Sequence, residues 1–306
     1  MKKLLFIVNP CSGKGKIRSK MLEILDLFCH AGYETTVYIT QKPLEAAEIA
    51  GKKGKKADLI VCSGGDGTLN ETVSGMMRLK TPPPLGYIPA GSTNDYAASL
   101  EIPKQMLQAA KSAVLGECRL LDVGKFCSEK YFVYIAGFGA FTEVSYITPQ
   151  DKKNLLGHQA YMIEAVKRLT ALKSIHMNVE WETEEGETEK VEGDFIFGMI
   201  TNTVSVGGFK GLIRENVKLN DGLFECLFIR MPKTPLEFSN IVSYLLLRDE
   251  KENELVRAFR SGRIRIHSEE PVDWVLDGEF GGTKVDVIIE NLQEKLKIRR
   301  IPLKKR

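Results

Sequence analysis

The sequence lacks the segments that mark secreted and membrane-spanning proteins. No apolar run approaches the roughly 20 residues that a spanning helix needs, and the apolar run at residues 4–8 is shorter than the core of a signal peptide. Six cysteines are scattered through 306 residues, and none forms a Cys-x-x-Cys pair. Such cysteine use is typical of reduced thiols, so we expect a cytoplasmic protein.

Histidines are few as well, and the net charge is small. The four histidines lie far apart, so no Cys/His cluster has the spacing of a zinc site. The formal net charge of +3 is too small to indicate nucleic-acid binding. Basic residues concentrate in the C-terminal segment 293–306, where positions 295–306 hold seven Lys or Arg and no acid. This segment is either a solvated tail or a contact for an anionic membrane surface.

The remaining composition, 43% apolar and 27% charged, is that of a globular chain, and its length favours two domains. Short apolar runs alternate with helical periodicity up to about residue 122. This alternation predicts an α/β domain over residues 1–122, with a parallel sheet and helices on both faces. We predict strands at 4–8, 33–40, 57–63 and 85–88, and helices at 17–30, 43–53, 69–79 and 104–115.

The pattern then becomes mostly β, which predicts a second, β-rich and sandwich-like domain over residues 123–292. Turn signals such as Asn-Asp-Gly at 220–222 and Asp-Gly at 277–278 separate its apolar runs. Helices are predicted at 155–172 and 235–247. The predicted strands are 120–126, 131–136, 175–182, 187–192, 194–201, 223–230, 263–267, 272–276 and 284–290.

Three glycine-containing loops follow predicted strands of the first domain. The strongest signal is Ser-Gly-Gly-Asp-Gly-Thr-Leu-Asn-Glu at 63–71, where glycines let backbone amides approach a phosphate and Asp66 can face a metal–phosphate complex. Residues 9–15 and 89–96 are the other two. Each loop has a purely structural alternative: a tight turn at 9–15, a capped turn at 63–71 and a helix cap at 89–96. Loops gathered at the carboxyl ends of neighbouring strands are where an open α/β sheet binds its ligand.

Six motifs occur in order along the chain. They are Asn-Pro-x-Ser-Gly-x-Gly at 9–15, Gly-Gly-Asp-Gly-Thr-x-Asn-Glu at 64–71, Gly-Ser-Thr-Asn-Asp-Tyr-Ala at 91–97, Leu-Asp-Val-Gly at 121–124, Asn-Asp-Gly-Leu at 220–223 and Leu-Asp-Gly-Glu at 276–279. The ordered set resembles the diacylglycerol kinase catalytic-domain family, which includes soluble bacterial lipid kinases and is related to sphingosine and ceramide kinases. The glycine-rich motif alone also occurs in NAD kinases and phosphofructokinases.

The resemblance implies a nucleotide site in the first domain and roles for particular residues. Asp66 and Glu279 would be catalytic, Asp95 and Asp122 would complete an acidic network around a magnesium–nucleotide complex, and Ala98 replaces an arginine that is frequent in the family. A structural Mg2+ site would use the carbonyls of Lys218 and Leu223 with the carboxylate of Asp221. The implied nucleotide contacts are Asn9, Pro10, Cys11, Ser12, Gly13, Thr40, Gly64, Gly65, Asp66, Gly67, Thr68, Leu69, Asn70 and Ser92.

Two motifs of the second domain also have structural alternatives. Residues 220–222 form a good hairpin turn, while a carboxylate with carbonyl oxygens also suits a hard cation. Residues 276–279 are turn-like too. We expect Asp277 to bond local backbone amides within the turn, and Glu279, which follows the turn and has the longer reach, to be the general base.

The sequence therefore predicts an ATP-dependent lipid kinase of phospholipid metabolism that binds magnesium and converts diacylglycerol to phosphatidic acid. Its partners would be ATP, the lipid and a peripheral membrane surface, with no nucleic acid, and a homodimer is left open. The alternatives are a kinase for a sphingoid base or ceramide, an NAD kinase, and a catalytically silent protein that binds nucleotide or lipid. The acyl preference is not predicted.

Overall fold

The computed structural model describes residues 1–91, 94–139, 173–203, 217–247 and 253–301. Its first half alternates strands with helices, as expected from the apolar periodicity. The elements are β1 (Lys2–Val8), a 3-10 helix (Ser12–Lys20), α1 (Met21–His30), β2 (Tyr33–Ile39), α2 (Glu45–Lys53), a 3-10 turn (Gly54–Lys56), β3 (Leu59–Gly64), α3 (Asp66–Met76), β4 (Leu85–Pro89), α4 (Asp95–Ser99) and α5 (Met106–Leu115).

Strands β1 to β4 pair in parallel. β1 lies between β2 and β3, and β3 pairs with β4 on its other side. Residues 59–64 of β3 are all buried, which fits a central strand with both faces covered. Parallel pairing brings the carboxyl ends of β1, β3 and β4 to one edge, so the three glycine-containing loops come together there.

The second half is strand-rich, which confirms the predicted β-rich C-terminal region. Its strands join the first four in one continuous sheet of 13 strands among the described residues. The elements are β5 (Glu117–Phe126), β6 (Lys130–Phe132), β7 (Ile135–Gly139), β8 (Ile175–Glu182), β9 (Thr188–Thr201), β10 (Phe224–Arg230), α6 (Pro235–Leu247), β11 (Val256–Ser261), β12 (Arg263–Leu276) and β13 (Glu279–Arg300).

Several predicted boundaries are wrong. The runs 187–192 and 194–201 form the single strand β9, and 263–267 and 272–276 form β12, whose register shifts between His267 and Val272. A bulge inserts residues without ending a strand, so its polar stretch resembles a turn in sequence. The predicted strand 131–136 divides into β6 and β7. The predicted helix 17–30 is α-helical only from Met21.

The predicted helix 235–247 is confirmed as α6, whereas the predicted helix 155–172 lies outside the described residues. None of the helices in the described part of the chain is both long and apolar enough to cross a bilayer.

The basic C-terminal segment is not a solvated tail over residues 293–300. These residues end β13, which pairs with β5 and touches β4 through Ile298. Leu296 and Ile298 alternate with Lys295 and Lys297 and are fully buried, so one face of the strand is buried here and the other is basic and exposed; Arg300, on the same face as Ile298, is buried too. β13 thus links both halves, and the predicted boundary at 122/123 falls inside β5. The division into 1–122, 123–292 and 293–306 stays a prediction. Residues 302–306 lie outside the described range.

Candidate active site

A cleft of about 1380 Å³ opens at the carboxyl edge of the parallel strands and extends to the β12–β13 hairpin. The first two glycine-containing loops and the hairpin with Glu279 therefore face one space, whereas none of the described residues of the third loop, 89–96, lines it. The predicted site residues that line it are Asn9, Cys11, Ser12, Thr40, Gly65, Gly67, Thr68, Asn70 and Glu279.

The first loop is bonded to the glycine-rich loop. The side-chain amide of Asn9 donates to Thr68 Oγ1 at 3.0 Å, and Ser12 Oγ accepts from the amide of Gly65 at 3.2 Å. Gly13 has a φ of +57°, and a Cβ there would lie 1.8 Å from the carbonyl oxygen of Ala90, so only glycine fits. The three loops thus form one connected surface.

Several predicted nucleotide contacts lie behind this surface. Leu69 is fully buried in the core of the first half, and Pro10, Gly13, Gly64 and Asp66 also lie outside the cleft lining. Gly64 has a local structural reason, because a Cβ there would lie 2.3 Å from the side chain of Thr68. Thr40 is buried and its hydroxyl donates to the carbonyl of Val8 at 3.3 Å. Ser92 lies outside the described residues.

Asp66 begins α3 and faces the first turn of α4. Its Oδ2 accepts from the amide of Asp95 at 3.1 Å, which ties the second loop to the third. Burial raises the pKa of Asp66 to about 6, and the neighbouring charge of Asp95 adds to the shift. Oδ1 is buried and has no hydrogen-bond partner within the described part of the chain. A buried, unsatisfied carboxylate oxygen fits a site for a hard cation.

Glu279 follows the Asp277-Gly278 turn, which joins β12 to β13. Both turn residues have positive φ, +51° and +84°, as a two-residue type I′ hairpin requires. Glu279 is exposed, and its Oε1 lies 3.0 Å from the position that a Cβ on Gly67 would occupy. The structure therefore brings Glu279 to the first turn of α3, although 212 positions separate it from Gly67 in sequence.

Asp277 is buried, and it does not bond local amides as expected. Its Oδ1 accepts from the amides of Tyr134 and Ile135, each at 3.0 Å, and its Oδ2 from the amide of Val133 at 2.7 Å. The side-chain amide of Asn70 donates to the same Oδ2 at 2.7 Å. Between β6 and β7 the backbone directs these three amides toward Asp277 and not toward a neighbouring strand, which explains why the predicted strand 131–136 is interrupted.

Asp122, which we predicted to share an acidic network with Asp66 and Asp95, is bonded to other parts of the chain, and the network stays a prediction. Its carboxylate accepts from the amides of Gly222 and Glu294, both at 2.8 Å, so it fixes the 220–223 turn against β13. Desolvation raises its pKa, and these two hydrogen bonds oppose the shift. Ala98 is exposed on α4.

Asp221 forms an ion pair with Arg260. Its Oδ2 accepts from the Arg260 guanidinium and its Oδ1 from the amide of Leu223 at 3.3 Å. A magnesium ion bound to Asp221 would have to displace Arg260, so the predicted oxygen ligands in their present arrangement do not fit the ion. No group of three His, Cys, Asp or Glu side chains within the described ranges is arranged for a metal. The structural site at Lys218, Asp221 and Leu223 stays a prediction, and no step below depends on it.

We expect Arg260→Ala to lower the free energy of unfolding by about 1–3 kcal/mol, because charged hydrogen bonds to Asp221 would be lost. Glu225, which is only 11% exposed, would also lose its cation. Burial raises the pKa of Glu225 to about 7, so the deficit should shrink as pH falls and the carboxylate is protonated. Thermal denaturation at pH 7.5 and 5.5 measures this, with Lys52→Ala as the surface-pair control. A magnesium-dependent rise in Tm that Asp221→Ala abolishes would instead assign the carboxylate to the metal.

Sequence reasoning missed the role of Glu71. This residue lies in the quoted motif at 64–71, but nothing in its spacing indicated a partner. In the structure Glu71 lines the cleft and accepts from the amides of Leu44 and Ala46 at 2.8 and 3.2 Å.

Comparison with known proteins agrees with this architecture. The family model of the diacylglycerol kinase catalytic domain matches residues 3–126. A diacylglycerol kinase from Bacillus subtilis (strain 168) is 33% identical over 284 residues, covering 92% of this chain and 91% of that protein. A diacylglycerol kinase from Staphylococcus saprophyticus is 30% identical over 282 residues, covering 92% and 90%.

Solved structures are similar over nearly the whole chain. A crystal structure of a candidate diacylglycerol kinase from Bacillus anthracis has a TM-score of 0.79 at 25% identity, covering 98% of this chain and 96% of that one. A second structure from the same organism has a TM-score of 0.74 at 23% identity. The chain belongs to the diacylglycerol kinase catalytic-domain family. Within that family it is an enzyme, a lipid kinase.

Proposed function

We propose that this lipid kinase transfers the γ-phosphoryl group of ATP to the free hydroxyl of diacylglycerol, giving phosphatidic acid. The observation that carries the proposal is the approach of Glu279 to Gly67. It places an exposed carboxylate at the first turn of α3, inside the cleft that the loops line. A phosphate at the helix terminus and a base beside it are two of the requirements of phosphoryl transfer to an alcohol.

In this proposal the nucleotide binds along the loops at 9–13 and 64–70. The amides at the start of α3 and the partial positive charge of its N-terminus attract phosphate oxygens. Asn9 and Ser12 do not need to move to shape this surface, because their hydrogen bonds to Thr68 and Gly65 already hold it. A preformed loop lowers the entropic cost of fixing the triphosphate.

ATP would bind as its magnesium complex, in which the ion would neutralise charge on the phosphates. We assign Asp66 to hold that complex, because its Oδ1 is buried and has no hydrogen-bond partner among the described residues. Its Oδ2 remains bonded to the amide of Asp95, which holds the carboxylate in one orientation.

Glu279 is the proposed general base. As the lipid oxygen attacks the γ-phosphorus, its proton passes to the Glu279 carboxylate and the bond from phosphorus to the ADP oxygen breaks. The products are ADP and the phosphorylated lipid. Because diacylglycerol resides in membranes, we further propose a cytoplasmic enzyme that binds the membrane surface peripherally.

Asp66→Ala is expected to abolish turnover while leaving the fold intact. Burial raises the pKa of Asp66 to about 6, so the carboxylate is charged above that pH and neutral below it. Turnover of the unmodified enzyme should therefore fall at acid pH, and magnesium, which stabilises the charged carboxylate, should move that fall to lower pH. Initial rates across pH 5–8 at limiting and at saturating magnesium test both statements. Activity of Asp66→Ala equal to that of the unmodified enzyme would exclude this role.

The acceptor is tested with labelled ATP and the purified protein. Diacylglycerol and ceramide are presented in anionic vesicles, with sphingosine and NAD in parallel reactions. We expect label in phosphatidic acid and less transfer to the other acceptors. Preferred labelling of ceramide, sphingosine or NAD would replace the proposed acceptor, and the lack of any labelled product would favour a silent binding protein. Adding salt should weaken vesicle binding by screening.

A further inference from the structure

The loop at residues 41–44 forms one wall of the cleft. Its residues are exposed and line the cleft immediately after Thr40. Leu44 has a φ of +65°, a left-handed conformation that is strained for any residue with a Cβ. Glu45 of α2 holds one end of the loop, since its Oε2 accepts from the amide of Gln41 at 2.5 Å, and the other end, at Leu44, is held from outside.

Glu71 provides that support from α3. One carboxylate oxygen accepts from the amide of Leu44 at 2.8 Å and the other from the amide of Ala46 at 3.2 Å. The two amides flank the start of α2, where backbone donors have no helical partners. The carboxylate thus fixes the left-handed residue and the first turn of the helix at once.

The packing of α2 against α3 has a separate basis. α2 and α3 approach so closely that a Cβ on Gly75 would lie 2.2 Å from the carbonyl oxygen of Ala47. This backbone packing sets the distance between the helices along their length. The carboxylate of Glu71 acts at the N-terminal end of α2, where the cleft wall begins.

Glu71 also connects this wall to the phosphate-binding end of α3. It lies five residues after Asp66 on the same helix and lines the same cleft. α3 therefore carries the proposed phosphate site at its start and, between one and two turns later, Glu71, which supports the cleft wall formed by residues 41–44.

We propose that Glu71 is a positioning residue for the nucleotide: by bonding the amides of Leu44 and Ala46 it holds the 41–44 loop at the distance from the glycine-rich loop that ATP requires. The inference rests on the proposed kinase function. It assigns Glu71 to binding of the nucleotide and not to the transfer step, which belongs to Glu279 and Asp66.

The test is Glu71→Gln, which keeps the shape of the side chain but replaces one acceptor oxygen with a donor that opposes an amide N–H. We expect KM and Kd for ATP to rise about tenfold, the effect of losing one charge-assisted hydrogen bond, with kcat within about threefold of its original value and the KM for the lipid unchanged. Steady-state kinetics and equilibrium nucleotide binding measure these quantities. The matched control is Glu23→Gln on α1, an exposed residue paired with Lys20.

A second variant removes the same hydrogen bond by changing its donor, the amide of Leu44, and not its acceptor. Leu44→Pro removes the donated N–H and cannot adopt a positive φ, so it should raise the KM for ATP in the same way while Glu71 stays intact. Reduced stability with an unchanged KM for ATP in both variants would show a purely structural role and overturn the inference. A fall in kcat alone would overturn it too. If the unmodified enzyme neither binds ATP nor phosphorylates a lipid, the proposed function fails instead.

Discussion

Glu279→Gln is expected to lower kcat by about 100-fold or more, the usual effect of removing a general base, while ATP still binds. Glutamine keeps the size of the side chain beside Gly67 but cannot accept the lipid proton. Because Glu279 is exposed at the start of β13, the substitution should leave the free energy of unfolding nearly unchanged. Turnover and nucleotide Kd, measured on the same preparation, separate the two effects.

A matched substitution controls for the general effects of losing a carboxylate. Glu269→Gln changes an exposed glutamate on β12 that lies outside the cleft lining, and it should preserve turnover. If Glu279→Gln keeps full activity, another group takes the proton. If it loses affinity for ATP in proportion to kcat, Glu279 acts in binding and the assigned role is wrong.

The elements that could be predicted from sequence are those specified by local pattern. β1, β3 and β4 each contain a short apolar run, and the glycine signals placed the loops at their ends. Asp277-Gly278 is a strong hairpin signal, and the structure has that hairpin. Local chemistry was sufficient in these cases because a turn or a buried strand is determined by the residues that form it.

The contacts that could not be predicted join residues far apart in the chain. Asp122 bonds the amide of Gly222, and Arg260 pairs with Asp221, because neighbouring strands bring them together. No residue near Asp122 or Asp221 carries a signal of its distant partner. The end of β13 was missed for a similar reason. Its alternating apolar and basic residues, 295–300, resemble a charged tail until β5 and β4 pair with the backbone and the core of the first half buries Leu296 and Ile298.

Asp277 shows how such a contact determines the site. Its carboxylate joins three parts of the molecule: α3 through Asn70, the segment between β6 and β7 through three amides, and the turn that carries Glu279. Burial raises the pKa of Asp277 to about 6, and the four donors oppose that shift by favouring the charged form. A carboxylate so fully bonded has no free position for a substrate proton, which favours Glu279 as the base.

Asp277→Asn should therefore cost mainly stability. An asparagine keeps one acceptor oxygen but turns an NH2 group toward donors, so about half of the four hydrogen bonds are lost and buried N–H groups are left unpaired. We expect the free energy of unfolding to fall by about 3 kcal/mol, measured by denaturant titration, with Asp286→Asn as an exposed control. Turnover at a temperature where the variant is folded should fall less than in Glu279→Gln, since the base itself is present and only its support is weakened. If Asp277→Asn is as stable as the unmodified protein and loses turnover, while Glu279→Gln retains it, the proton acceptor is Asp277 and its four hydrogen bonds must rearrange when the substrates bind.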